Sequence, residues 1–122
     1  MLSLPARILL ARDPVDFRKQ IDGLAAICEV HLGEQPLGGT LFVFRNSRAT
    51  ALKMLVWSHG GFTLLYKKLE RGQFAWPQPE GDRVCLSQAE LVALLEGIDL
   101  SKCERLKRWT PKSSLPNSDG SG

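Results

Sequence analysis

The chain has little of what most catalytic chemistry requires. Its 122 residues include two histidines, three cysteines and one tyrosine. Cys28, Cys85 and Cys103 are odd in number and show no C-x-x-C spacing, which reads as free thiols in a reducing compartment, not a disulfide framework. Cys28 and His31 form one usable ligand pair, but a structural zinc needs four ligands. Cys28 also lies on an apolar stripe, where a thiol packs as a small hydrophobe. No G-x-S-x-G elbow is present and no Ser/His/Asp set has a recognisable local context. Gly60-Gly61 lacks the spacing of a phosphate loop and reads as a turn. A two-metal nuclease needs several convergent carboxylates, yet the acids cluster either near Asp13, Asp16, Asp22 and Glu29 or in the last third. These absences imply no catalytic residue, no metal, no cofactor and no enzymatic activity.

Long hydrophobic runs are also missing. None approaches the roughly 20 residues that cross a bilayer. The N-terminus, MLSLPARILLARD, has no basic region followed by a long apolar one, so it reads as part of the fold and not as a signal peptide. With 43% hydrophobic residues and a mean hydropathy of -0.11, the chain reads as a soluble cytoplasmic protein with one modest core.

The middle of the chain is short of acid. Residues 41–77 contain the single carboxylate Glu70 and six cations: Arg45, Arg48, Lys53, Lys67, Lys68 and Arg71. The same stretch holds Trp57, Tyr66, Trp76 and four of the five phenylalanines. Cations can meet phosphates and rings can stack on bases, so the chemistry suggested is binding. Residues 78–100 carry five acids and one cation, and residues 101–112 carry five cations and one acid. Two basic blocks around an acidic one suit a polyanion-facing surface.

The local signals predict an α+β fold. Residues 7–11 read as a strand. Asp13-Pro14 reads as a helix start, with Asp13 capping and proline at the first position. Phe17, Ile21, Leu24 and Cys28 then form one helical stripe, which is expected to be buried against Leu52, Met54 and Val56. Gly23 inside this helix suggests a close packing contact. Leu41 to Phe44 reads as a strand covered on both sides. Ala51–Trp57 and Phe62–Lys68 read as a hairpin around Ser58-His59-Gly60-Gly61. Period-two alternation puts Lys53, Leu55, Trp57, Phe62, Leu64, Tyr66 and Lys68 on one face. Lys67 to Gly72 reads as a short helix or irregular segment. Arg83 to Leu86 reads as a last strand. Ser87 with Glu90 forms a capping box, with Leu86 and Leu91 as its staple, and the helix stops at Gly97. The domain is expected to span residues 1–100: a small, mostly antiparallel sheet, a long N-terminal helix on it and a short C-terminal helix. Residues 101–122 read as a basic, then Ser/Pro/Gly-rich tail, disordered beyond about residue 110.

The candidate nucleic-acid-binding residues are therefore Arg45, Arg48, Lys53, Lys67, Lys68 and Arg71. The candidate aromatic face is Trp57, Phe62, Tyr66 and Trp76. A surface of this kind, with no base-reading helix evident, is expected to bind DNA weakly and without sequence preference. The competing reading is a protein–protein adaptor that docks through the aromatic face.

Ordered blocks along the chain carry a family resemblance. They are Pro14-Val15-Asp16-Phe17-Arg18-Lys19 with Gly23-Leu24, then Leu41-Phe42-Val43-Phe44-Arg45-Asn46, then Lys53, Leu55 and Trp57 with Gly61-Phe62. Lys67-Lys68-Leu69-Glu70 follows with Gly72, Phe74, Trp76 and Pro77, and finally Leu94-Leu95 with Gly97-Ile98-Asp99. In these the chain resembles the TnpB accessory proteins of the insertion-sequence-sixty-six group of bacterial transposable elements. The resemblance implies a non-catalytic role in transposition beside a separate transposase, with DNA, that transposase, or both as partners. Between Arg45 and Lys53 the family has a denser basic run, where this chain keeps only Arg48.

Overall fold

The computed structural model describes Pro5 and residues 7–97; the expected tail, and the boundary before it, lie outside the described residues. Among the described residues five strands and two helices follow one another in the order β1 (Ile8–Ala11), α1 (Ile21–Val30), β2 (Leu41–Arg45), β3 (Ala51–Ser58), β4 (Gly61–Lys68), β5 (Arg83–Leu86) and α2 (Gln88–Leu95). A 3-10 turn, Pro36–Gly38, precedes β2. The sheet order is β4-β3-β2-β1-β5. β1 and β2 run parallel, joined through α1 as a parallel pair requires, and the other pairings are antiparallel. The sheet is therefore mixed.

Two apolar clusters cover its two faces. Ile8, Leu10, Leu41, Val43, Leu52, Met54, Val56, Val84 and Leu86 pack with Phe74 and with Leu91 and Leu94 of α2. Leu9, Phe42, Phe44 and Leu55 pack on the opposite face with Leu24 and Cys28 of α1. The expected partners of the α1 stripe, Leu52, Met54 and Val56, thus lie on the wrong side: α1 covers the face of Leu55, Phe62 and Leu64. Leu24 and Cys28 are fully buried, whereas Phe17 and Ile21 are half-buried.

The helix expected from Asp13-Pro14 begins eight residues after Asp13, at Ile21, and is ten residues long. The reason is local competition for backbone groups. Asp16 Oδ1 accepts from the Arg18 N–H at 2.9 Å, an Asx turn that offers the chain an alternative to helix. Val15 N–H donates to the Arg45 carbonyl, which ties the segment to the end of β2. The Phe17 and Lys19 carbonyls accept from Lys53 Nζ at 2.9 and 2.8 Å. Gly23 fits this arrangement, since a Cβ there would stand 3.0 Å from Lys19 Cβ.

The hairpin closes more tightly than the sequence suggests. β3 and β4 pair without interruption from Ala51↔Lys68 to Ser58↔Gly61, so the loop is His59-Gly60 alone. Both residues have positive φ, 51° and 81°, as a type I′ turn requires. β4 continues through Lys67 and Lys68, so neither belongs to a helix. At the other end of the chain, the capping box forms as expected: Ser87 Oγ accepts from Glu90 N–H, and Glu90 Oε1 accepts from Ser87 N–H.

Candidate nucleic-acid interface

The C-terminal ends of β2 and β4 and the start of β3 meet at one rim of the sheet. Two loops leave it, residues 46–50 and 69–74, and they are tied to each other. Leu69 N–H donates to the Thr50 carbonyl and Phe74 N–H to the Ala49 carbonyl. Gln73 Nε2 donates to the Arg48 carbonyl at 2.8 Å. Within the first loop, Asn46 Oδ1 accepts from the N–H groups of Thr50 and Ala51, and its Nδ2 donates to Thr50 Oγ1. Ala49 sits at φ 56°, a left-handed conformation costly for a residue with a Cβ and held here by these bonds. The rim is thus a braced corner.

Arg45, Arg48, Lys67, Lys68 and Arg71 stand at this corner. Arg48, Lys67, Lys68 and Arg71 are exposed and Arg45 is half-buried. Arg45 spends its donors on backbone: Nε on the Arg12 carbonyl and Nη1 on the Ser47 carbonyl. Among the described residues, none of the five is in an ion pair. Elsewhere among the described residues the arginines are neutralised. Arg7 and Arg83 hold Glu34 at 2.9 and 3.0 Å. Arg12 pairs with Asp13 and Arg18 with Asp16. The carboxylates record it. Glu34, hydrogen-bonded first by Arg7, lies below its ordinary pKa, as does Asp13 beside Arg12, and Asp16 lies well below through Arg18. Apart from exposed Lys19 and buried Lys53, the described lysines and arginines without an ion pair therefore gather at this rim.

Lys53, named with these cations from sequence, belongs elsewhere. It is 2% exposed. Its ammonium donates to two carbonyls and lies 5.0 and 5.6 Å from the ring centroids of Phe17 and Tyr66. Alternation places it on the correct face, but β3 is an interior strand and the 12–20 segment covers that face. The sixth cation is a structural cross-link, and its expected exposure is not found.

The four rings are not one surface. Trp57 and Phe62 pack edge-to-face at 4.9 Å beside the turn, six residues along β4 from Lys68. Trp76 lies against the opposite face of the sheet, its Nε1 donating to the Ala11 carbonyl at 2.8 Å. Tyr66 alone combines exposure, 59%, with proximity to the basic rim, being two residues from Lys68 on the same face. Its partner is Phe17, edge-to-face at 5.9 Å, a ring assigned from sequence only to a helical stripe. Nothing local in the sequence signals that pair, because it depends on the 12–20 segment not being helical.

Neither helix reads as a groove-entering element, since α1 and α2 contain no lysine or arginine. Cys28 is fully buried in the α1 cluster, and burial pushes its thiol up to about 12. Among the described residues no group of three or more His, Cys, Asp or Glu side chains is placed to hold a metal ion. No described helix is long and apolar enough to cross a membrane.

The profile of the family described as IS66 Orf2 like protein matches residues 6–105, and the chain belongs to that family. Two curated relatives come from Sinorhizobium fredii (strain NBRC 101917 / NGR234). The chain is 42% identical to the uncharacterized protein y4hO over 94 residues, 76% of this chain and 81% of that one. It is 35% identical to the uncharacterized protein y4jC over 99 residues, covering 81% and 85%. No solved structure matches the chain significantly. Membership ties the protein to an insertion-sequence element in an accessory role.

Proposed function

We propose that this IS66 Orf2-like protein serves its element as a non-catalytic DNA-binding accessory, working in the bacterial cytoplasm beside the element's transposase. The observation that carries the reading is the braced corner, where, among the described residues, Arg45, Arg48, Lys67, Lys68 and Arg71 stand free of ion pairs while the other arginines are paired. A carboxylate partner would already have used the charge; its absence among the described residues leaves the corner for phosphate. Two properties of the corner match backbone contact. Its cations sit on loop and strand ends, not on a helix shaped for the major groove. They also offer point charges and forks without an apolar base-reading set beside them. Tyr66, exposed next to Lys68, adds one ring able to stack on an unpaired base. Lys53 has no part in this contact.

The test is fluorescence anisotropy of labelled duplex DNA with the full chain over a series of salt concentrations. Binding is expected at low salt, with little dependence on sequence and a steep salt slope. Each phosphate contact contributes about 0.9 to that slope. The variant Arg48→Ala/Lys67→Ala/Lys68→Ala/Arg71→Ala is expected to fold and to lose about 3–4 units of slope. Absence of binding at low salt, or an unchanged slope in the folded variant, would reject the corner as the DNA surface. Capture of the transposase with a salt-insensitive affinity would favour the adaptor reading instead.

A further inference from the structure

The two edges of the sheet are built differently. β5, at one edge, is four residues long, and its first residue, Arg83, is tied to Glu34 and Asp82. β4, at the other, is eight residues long and pairs with β3 in unbroken register, with no bulge and no proline. Sheet edges of this kind present a row of free backbone donors and acceptors, and proteins usually blunt them with short strands, bulges, prolines or lysines. β4 keeps only the lysines, and only at its end.

The ladder identifies the groups that have no backbone partner among the described residues. Ser58 and Gly61 flank the two-residue turn and form a hydrogen-bonded pair. Every second pair thereafter is bonded, and the Leu69 N–H to Thr50 carbonyl bond continues the same alternation. Phe62, Leu64, Tyr66 and Lys68 fall at the intervening positions, so their N–H and C=O groups point away from β3. Beside them Leu65 and Tyr66 are 44% and 59% exposed, which is unusual for large apolar side chains in the middle of a strand.

We propose that β4 pairs with β4 of a second copy of this chain, antiparallel, about a two-fold axis through Leu64 and perpendicular to the sheet. The register follows from polarity, side-chain parity and charge. A perpendicular two-fold keeps each face continuous across the junction, so residues opposite one another must have the same parity. Centring on Leu64 sets Phe62 against Tyr66 of the second copy, twice, and Thr63 against Leu65, twice. Aromatic cross-strand pairs of that kind stabilise a junction. Three bonded positions (Phe62, Leu64 and Tyr66) supply about six ladder hydrogen bonds. Lys67 then falls opposite Gly61, and the two Lys67 residues stand about 20 Å apart along the strands, beyond the Debye length at physiological salt. A register centred on Tyr66 or Lys67 would bring the four lysines together, and parallel pairing would stack each on its own copy. The lysines therefore select the register that the rings favour. The contact is small beside a standard interface, so the dimer is weak and concentration-dependent.

The experiment is sedimentation equilibrium of the full chain under reducing conditions, from micromolar to near-millimolar concentration. The apparent mass is expected to rise from the monomer's 13.5 kDa towards twice that value. Leu65→Lys, which adds a charge to each half of the junction, is expected to hold the mass at the monomer value with an unchanged circular dichroism spectrum. Leu64→Pro removes an outward N–H without removing a β3 ladder bond, as edge strands allow, and is expected to do the same. Should Leu64→Pro fail to fold, Leu65→Lys decides. A wild-type chain that stays monomeric throughout overturns the proposal, and so does a dimer that survives in folded Leu65→Lys. Because no DNA is present, failure here leaves the reading of the basic corner standing, and failure of that reading leaves this one.

Discussion

Lys53 and Lys68 lie on the same face of one hairpin, in adjoining strands, and have opposite fates. Lys53 is buried, its ammonium closed in by two carbonyls and two rings. Lys68 is exposed at the end of an edge strand, with no ion pair among the described residues. Alternation determines which face a side chain takes. Depth is determined by the order of strands and by what lies over the face, and here that cover is a segment folded back from before α1. A cation in the interior of a sheet becomes a cross-link; the same cation at the rim stays available for a partner.

The largest effect is expected where the comparison depends on which face α1 covers. Leu24→Ala should destabilise the fold by about 2–5 kcal/mol, as large-to-small changes at fully buried sites do, measured by urea unfolding. A double-mutant cycle sharpens the point. Leu24 should couple to Leu55, which shares its cluster, and behave additively with Met54, which lies across the sheet. Coupling to Met54 and not to Leu55 would contradict the layering.

Lys53 comes next. Lys53→Met keeps most of the packing volume but leaves the Phe17 and Lys19 carbonyls without their donor. Hydrogen bonds to a charged group contribute about 1.5–3 kcal/mol each, and partial exposure of Phe17 lets water replace some of that. A net loss of about 2–3 kcal/mol is expected, with faster exchange of amides in residues 15–20 relative to α2. A variant as stable as wild type would show that the 12–20 segment is held by its own turn and not by this lysine.

The sequence carried a good deal of this, unevenly. β1, β2, the two strands of the hairpin, β5 and the capped α2 all stand where local signals put them, because apolar runs, turn glycines and a Ser87/Glu90 box are short-range features, although the turn is two residues and not the four expected. The start of α1 departs from the local signal for a physical reason. Asp13-Pro14 satisfies the rules for a helix start, yet Asp16 forms an Asx turn and Lys53, 34 residues away, takes the carbonyl of Lys19. Local propensity has no knowledge of a distant donor. The same gap explains the candidate site. Arg45, Arg48, Lys67, Lys68 and Arg71 were visible as an acid-poor stretch, and the fold brings them to one rim. The place of Trp57 and Phe62 beside the turn is legible, but the opposite face taken by Trp76 is not, since it follows from the Trp76 bond to Ala11.

The smallest expected change in stability belongs to the exposed pair, and it is the sharpest contrast with Lys53. Lys67→Ala/Lys68→Ala removes two cations from the end of an edge strand where neither has a carboxylate partner among the described residues. Exposed substitutions of this sort usually shift stability by less than about 0.5 kcal/mol, and less repulsion with Arg48 and Arg71 could make the sign favourable. The midpoint of urea unfolding should therefore stay within error of wild type, while the salt slope of DNA binding falls by about two units. A large loss of stability would mean that these lysines, like Lys53, have structural partners, and the distinction between interior and rim would fail. Unchanged stability with an unchanged slope would keep the distinction but move the phosphate contact to Arg45, Arg48 and Arg71, where single substitutions would each be worth about one unit of slope.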